Sequence, residues 1–251
     1  MLPGVPVLVG SIALGVPEMV AWLGPMLLAT GGAQLKRLTT EFNFTLYHQG
    51  DRLRIRHGLT DLRTTSVPIH RIQAIKVSQS LPWRVPGWWR IEVNIAGATQ
   101  GDDTTQTVVM PVGTLDEAIS VLRLVRPGIP ADAARAALVG PGGEPGFTPA
   151  GAGARRLDPF AWRRLGYAVL PDCLMTRRGR LYRTAEFVPH ARIQSLAVKQ
   201  GPLQRSRGLA TVRIVSTPGP VSPHVPHLDV HEAERLVNEQ VERSSRARQR
   251  A

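Results

Sequence analysis

The chain carries one pattern twice. Displaced by about 121 positions, Asp51-Arg-Leu-Arg-Ile-Arg-His-Gly58 falls on Asp172-Cys-Leu-Met-Thr-Arg-Arg-Gly179, and the register holds without a gap for roughly 45 residues. Val67-Pro68 meets Val188-Pro189, Arg71-Ile72-Gln73 meets Arg192-Ile193-Gln194, and Gln79 meets Gln200. Arg84 and Gly87 likewise meet Arg205 and Gly208. Spaced, chemically different residues do not align this way by chance. The chain is therefore built from two copies of one unit of about 90 residues, each large enough for a small core.

Composition narrows the partners. Lys and Arg number 31 against 19 Asp and Glu, a formal net charge of +12, and nearly all the positive charge is arginine. Arginine's planar, permanently charged fork suits phosphates, whether on a nucleic acid or an anionic membrane. The single cysteine, Cys173, excludes an intrachain disulfide and a cysteine-based zinc cluster. Residues 5–35 are the most apolar stretch, with Glu18 as their only charge. The stretch exceeds the ~20 residues that cross a bilayer as a helix, so residues 1–37 are expected to form a membrane segment. Lys36 and Arg37 follow it, and the positive-inside rule then places everything downstream on the cytoplasmic side of the cell membrane.

Each copy reads as short strands closed by a helix. Leu53 and Ile55 alternate with Arg52, Arg54 and Arg56, the signature of a half-buried strand with three arginines on its outer face. Thr64–Ile69, Ile72–Ser78, Trp89–Ile95 and Thr107–Met110 supply further strands. Thr114 caps a helix running to Val125, and its counterpart runs from Asp229 to Val241. Residues 127–157 are rich in Pro, Gly and Ala and read as a flexible linker, with room for a helical turn over Ala131–Leu138. The tail 244–251 is basic and polar, and is expected to fray.

The repeated set Pro68-x-x-Arg71-Ile72-Gln73, Gln79 and Arg84-x-x-Gly87, with Pro189-x-x-Arg192-Ile193-Gln194, Gln200 and Arg205-x-x-Gly208, resembles the bacterial pleckstrin-homology-like family. This family, formerly a domain of unknown function, occurs in membrane proteins of the YdbS/YdbT type. The resemblance covers roughly residues 40–126 and 158–243. It implies a mainly β fold: two tandem PH-like β-sandwich or barrel domains, 38–126 and 158–243, each closed by a C-terminal α-helix and preceded by the membrane segment. Such a chain is expected to act as an interaction or assembly module at the inner leaflet, contacting anionic lipid, protein partners or copies of itself.

The repeated residues read mainly as structural punctuation, with Ile72 and Ile193 in the core. The arginines are the better functional candidates. Arg52, Arg54, Arg56 and Arg63 in copy one, and Arg177, Arg178, Arg180 and Arg183 around a hairpin of copy two, are candidate lipid-headgroup contacts. In PH folds the loop joining the first strands is the usual phosphate cradle. Trp83 and Trp88 are candidate membrane-interface residues, whereas Trp89 reads as core. His224, His227 and His231 have a metal-like spacing without a counterpart in copy one, so neither a metal nor a cofactor is expected. No nucleophile elbow, P-loop or dinucleotide fingerprint occurs, and the expected protein is not an enzyme and implies no small-molecule substrate. The alternatives are a basic nucleic-acid binder, argued against by three of five tryptophans crowding one turn, and a small metal-dependent enzyme using the histidines.

Overall fold

The computed structural model describes residues 44–57, 63–97 and 108–250. Contacts group the chain into two units. Met1–Thr45 with Arg56–Thr64 holds few described residues, and Leu46–Ile55 with Thr65–Ala251 holds the fold. The membrane segment expected over 1–37 lies outside the described residues, as does Gly58. Among those described, no helix is long and apolar enough to cross a membrane.

Copy one supplies β1 (Thr45–Gln49), β2 (Arg52–His57), β3 (Arg63–Pro68), β4 (Ile72–Gln79), β5 (Trp89–Ile95) and β6 (Val108–Gly113). Helix α1 (Leu115–Val125) follows, and its N-terminus is closed by a capping box. In that box the Glu117 N–H donates to the Thr114 hydroxyl while the Glu117 carboxylate accepts from the Thr114 N–H. Copy two supplies β8 (Gly166–Val169), β9 (Cys173–Arg178), β10 (Arg183–Pro189), β11 (Ser195–Lys199), β12 (Leu209–Val215) and β13 (His224–Asp229).

These strands do not close into barrels. They form three sheets: β1-β2-β3, β11-β12-β13, and a seven-stranded sheet in which both copies take part. In the large sheet the order is β6-β5-β4-β10-β9-β8-β7, where β7 is the short strand Thr148–Pro149. β4 and β10 pair antiparallel, with Gln79 opposite Arg183 and Ile75 opposite Phe187. Strand β4 is internal and covered on both faces, and seven of its eight residues are buried. Packing follows the same continuity, since Ala74 of copy one belongs to the same buried cluster as Leu174, Val188, Val212 and Leu236 of copy two.

Two expectations from composition are corrected. Residues 127–157 are not a loose linker. They form α2 (Ala131–Val139), β7 and α3 (Ala154–Leu157), with Ile129, Ala134, Ala137, Leu138 and Ala154 buried. Small alanines let this segment lie close on β9 and β10, a means of burying surface that large side chains are not needed for. The basic tail is also ordered to Gln249, within helix α4 (Val230–Gln249). Ion pairs one turn apart, Glu239–Arg243 and Glu242–Arg246 at 2.9 Å each, support its last turns. The Arg248 guanidinium also donates to the Ile193 carbonyl.

Candidate functional site

The shared motif is backbone architecture. Pro68 and Pro189 each precede a tight helical turn, Ile69–Arg71 and His190–Arg192. The N–H groups of Ile69 and His190 donate to the matching carbonyls of Asp51 and Asp172. Gln79 Nε2 donates to the Trp88 carbonyl at 3.2 Å, and Gln200 Nε2 to the equivalent Leu209 carbonyl at 2.9 Å. Gly87 and Gly208 follow Arg84 and Arg205 by the same spacing; each donates to that arginine's carbonyl and has φ of 73° and 62°. Only glycine takes that conformation without cost. Ile72 and Ile193 are buried, and the Gln73 amide donates to the Arg71 carbonyl. Gln194 is exposed, while Arg192 reaches across to the His70 carbonyl of copy one.

Pairing β4 with β10 brings the two distinctive clusters together. The loop leaving β4 carries Leu81, Trp83, Arg84, Val85 and Trp88, and the hairpin entering β10 carries Arg180, Leu181 and Tyr182. Because Gln79 lies opposite Arg183, the loop and the hairpin emerge at the same end of the sheet. Three contacts join them. Arg84 donates to the Leu181 carbonyl, the Tyr182 hydroxyl to Ser78 Oγ at 3.1 Å, and Arg183 to Gln79 Oε1 at 3.2 Å. Gln79 thus holds the loop with its amide N–H and the hairpin arginine with its carbonyl. The surface is apolar and open: Val85 is 93% exposed, Leu181 61% and Trp88 44%, with Leu81 and Tyr182 also exposed. Trp83 is half-buried against Trp88, edge to face at 6.2 Å between ring centroids.

Beneath this surface the positive charge exceeds the negative. Burial, and next to it the neighbouring Arg84, lowers the basicity of Arg183. Arg164 is pushed down to about 9, chiefly by burial and then by Arg183 and Arg177. Its guanidinium caps the C-terminus of α2, donating to the carbonyls of Ala137, Leu138 and Gly140. Among the described residues the carboxylate here is Glu144, which pairs with Arg177 at 2.5 Å. An anion arriving over Arg84 and Arg183 would relieve their mutual repulsion.

Several predicted arginines lie elsewhere. Arg177 is corrected: it is 2% exposed, stacked on the Phe147 ring at 3.9 Å and paired with Glu144, so it cannot reach a headgroup. Segment 127–157 covers it, which alternation within β9 could not reveal. Arg178 is half-buried on the carboxylate of fully buried Glu186 at 2.7 Å. Arg180 is exposed, and Arg52, Arg54 and Arg56 are exposed on β2 opposite buried Leu53 and Ile55. Trp89 is buried, as its position predicted. His224 contacts Arg178 and the Ser222 carbonyl, and His227 contacts Gln204. Among the described residues no three His, Cys, Asp or Glu side chains converge as metal ligands.

The bacterial PH domain model matches residues 1–128 and 151–244, taking in both copies of the motif. The chain belongs to the bacterial PH domain family. No curated protein matches it. In this bacterial PH domain protein the repeated Pro, Arg, Gln and Gly positions lie at turns and strand ends, and the junction surface gathers residues at which the two copies differ.

Proposed function

We propose that this bacterial PH domain protein is a non-enzymatic interaction module held at the inner leaflet of the cell membrane, with the junction surface seated on anionic lipid. The observation that carries this reading is the pairing of β4 with β10, which places exposed Leu81, Val85, Trp88, Leu181 and Tyr182 beside Arg84, Arg180 and Arg183. Apolar and aromatic tips enter the headgroup region while arginines meet phosphates, each cation near an anionic surface contributing about 1 kcal/mol. The apolar residues 5–35 supply the anchor, which raises local concentration and lets a weak contact suffice. Exposed Arg52, Arg54 and Arg56 add long-range attraction. The aromatic residues of the junction, Trp83, Trp88 and Tyr182, sit outside the strands, not on a sheet face where successive bases could stack, which weighs against nucleic acid.

The test uses the buried Cys173, whose thiol burial pushes up to about 12, leaving an introduced cysteine as the reactive one. The full chain carrying Val85→Cys, labelled with an environment-sensitive dye, is mixed with phosphatidylglycerol or phosphatidylcholine vesicles. The dye shifts to the blue on phosphatidylglycerol only, and the shift shrinks at high salt and in Arg84→Gln/Arg183→Gln. Equal shifts on both lipids, or no loss in the double variant, reject the reading.

A further inference from the structure

The second sheet of copy two carries a basic recess that copy one lacks. In copy one the matching face of β4 and β5 carries a carboxylate, with Lys76 on Glu92 at 2.6 Å and Arg90 on Glu92 at 3.6 Å. Position for position, copy two has Ala197 for Lys76 and Arg213 for Glu92, and it adds Lys199 where copy one has Ser78. Ala197 lies opposite Arg213 and Lys199 opposite Thr211, so Arg213 and Lys199 share one face as diagonal neighbours. Both are exposed, and among the described residues neither has a carboxylate partner. A lysine on an edge strand guards against unwanted strand pairing. That explains Lys199 but not Arg213, because β12 is the central strand.

The loop between β12 and β13 walls the recess and is held in place. It reads Ser216-Thr-Pro-Gly-Pro-Val-Ser-Pro223, with three prolines limiting its freedom. Asn94 of copy one, 0% exposed, donates to the carbonyls of Thr217 and Val221 at 2.9 and 2.7 Å and accepts from the Val221 N–H at 2.9 Å. The resulting opening of about 580 Å³ is lined by Lys199, Arg213, Ser216, Thr217 and Ser222. Ser216 is 9% exposed and its Oγ has no hydrogen-bond partner. Burying a hydroxyl unpaired is unfavourable, and its presence beside two uncompensated cations points to a ligand that accepts its proton.

We propose that this recess binds a phosphomonoester group, with Lys199 and Arg213 supplying charge and the Ser216, Thr217 and Ser222 hydroxyls donating to its oxygens. The group comes from a lipid headgroup or from a soluble phosphate ester, and the site is separate from the junction surface. Titration calorimetry of the full chain with glycerol 3-phosphate, and flotation with phosphatidic acid vesicles, separate the two sources. Two variants accompany each. Arg213→Glu restores the charge of copy one at this position, and Ser216→Ala removes the unpaired hydroxyl without losing an internal hydrogen bond, so its melting temperature holds. Arg84→Gln/Arg183→Gln removes the junction's contribution from the flotation arm. Saturable glycerol 3-phosphate binding that falls roughly tenfold in Arg213→Glu and several-fold in Ser216→Ala supports a soluble ester. Flotation on phosphatidic acid that survives in the junction variant and is lost on adding Arg213→Glu, without glycerol 3-phosphate binding, supports the headgroup. Binding of neither probe, or binding that Arg213→Glu leaves unchanged, overturns the site.

Discussion

Arg177 and Glu144 decide whether residues 127–157 are part of the fold, and the energy at stake is large. Arg177 is 2% exposed, and it pairs with Glu144, stacks on Phe147 and donates to the Ala136 carbonyl at 3.2 Å. Burial disfavours its charge, and Glu144 opposes that loss. Burial alone would raise the Glu144 carboxyl, but hydrogen bonds from the Gly142 N–H, its own N–H and Arg177 outweigh it and hold the group below its usual value of 4.5. Removing one partner of a buried pair costs about 3–5 kcal/mol. Because Glu144 is partly exposed, Glu144→Gln is expected near the lower end. Arg177→Met also forfeits the ring contact, about 1–2 kcal/mol when desolvated, and is expected near the upper end. With a urea slope of about 2–3 kcal/mol/M, the midpoint of Glu144→Gln drops by about 1 M. The double variant should recover about 2 kcal/mol of the summed loss, since neither charge is then stranded. The lowered carboxyl also sets the sign with pH: the pair's stabilisation is complete above 4.5 and is lost as pH falls through the folded-state value. A midpoint for Arg177→Met within about 0.3 M of that for exposed Arg180→Met would refute the reasoning, as would rapid proteolysis of the wild-type chain between residues 140 and 150.

Other positions give independent checks. Gln79→Ala removes the amide that bridges the Trp88 carbonyl and Arg183, and should cost about 1–3 kcal/mol while speeding protease attack on the 80–88 loop; an unchanged cleavage rate contradicts the bridge. Asn94→Ala frees three backbone groups of the β12–β13 loop and should lower stability by about 2–4 kcal/mol, with faster amide exchange at Val221; exchange as slow as wild type counts against it. Gly179→Ala forces a side chain into φ 72°, with its Cβ clashing with the Tyr182 carbonyl oxygen, and should cost more than about 2 kcal/mol in a melting experiment. His190 is held neutral: Nε2 faces the Leu170 carbonyl and Nδ1 faces the Gln240 amide nitrogen, and burial first of all lowers its affinity for a proton. Its contribution is therefore full above 6.5 and lost as pH falls through the lowered folded value, so the wild-type melting temperature should fall more steeply with acid than that of His190→Gln.

The strands were legible because their cause is local. Leu53 and Ile55 alternate with arginines, and Thr114 with Glu117 carries the cap of α1 in four residues. The motif was legible as structure for the same reason: Gln79 and Gln200 bond carbonyls nine residues along their own chain. What the sequence hid is non-local. Arg56 and Arg177 occupy the same place in the repeat, yet Arg56 is exposed and Arg177 is buried beneath Glu144 and Phe147. Nothing within either strand distinguishes them. Composition misled in 127–157 because alanine and glycine carry little apolar area, yet small side chains can bury completely when two elements approach closely. The candidate site was half visible. Its tryptophan and arginine clusters stood out as the positions where the copies differ, but only the register of β4 on β10 places them side by side.

That register also gives the matching strands of the two copies different neighbours. β4 has neighbours on both sides, and reads Ile72-Gln-Ala-Ile-Lys-Val-Ser-Gln79. The matching run Ile193-Gln-Ser-Leu-Ala-Val-Lys-Gln200 contains β11, which among the described residues ends its sheet with one edge unpaired. The free N–H and C=O groups of such an edge are a template for pairing with another chain. The two runs differ by one Ile-to-Leu exchange and otherwise only in order: β11 is shorter, Ala197 stands at the place of Lys76, and the lysine moves to position 199. The Lys76–Glu92 pair has no counterpart in copy two, because Arg213 stands at the place of Glu92 and Ala197 at that of Lys76. The same place in the repeat is thus an internal strand with a paired lysine in copy one and the end of a sheet with an exposed lysine in copy two.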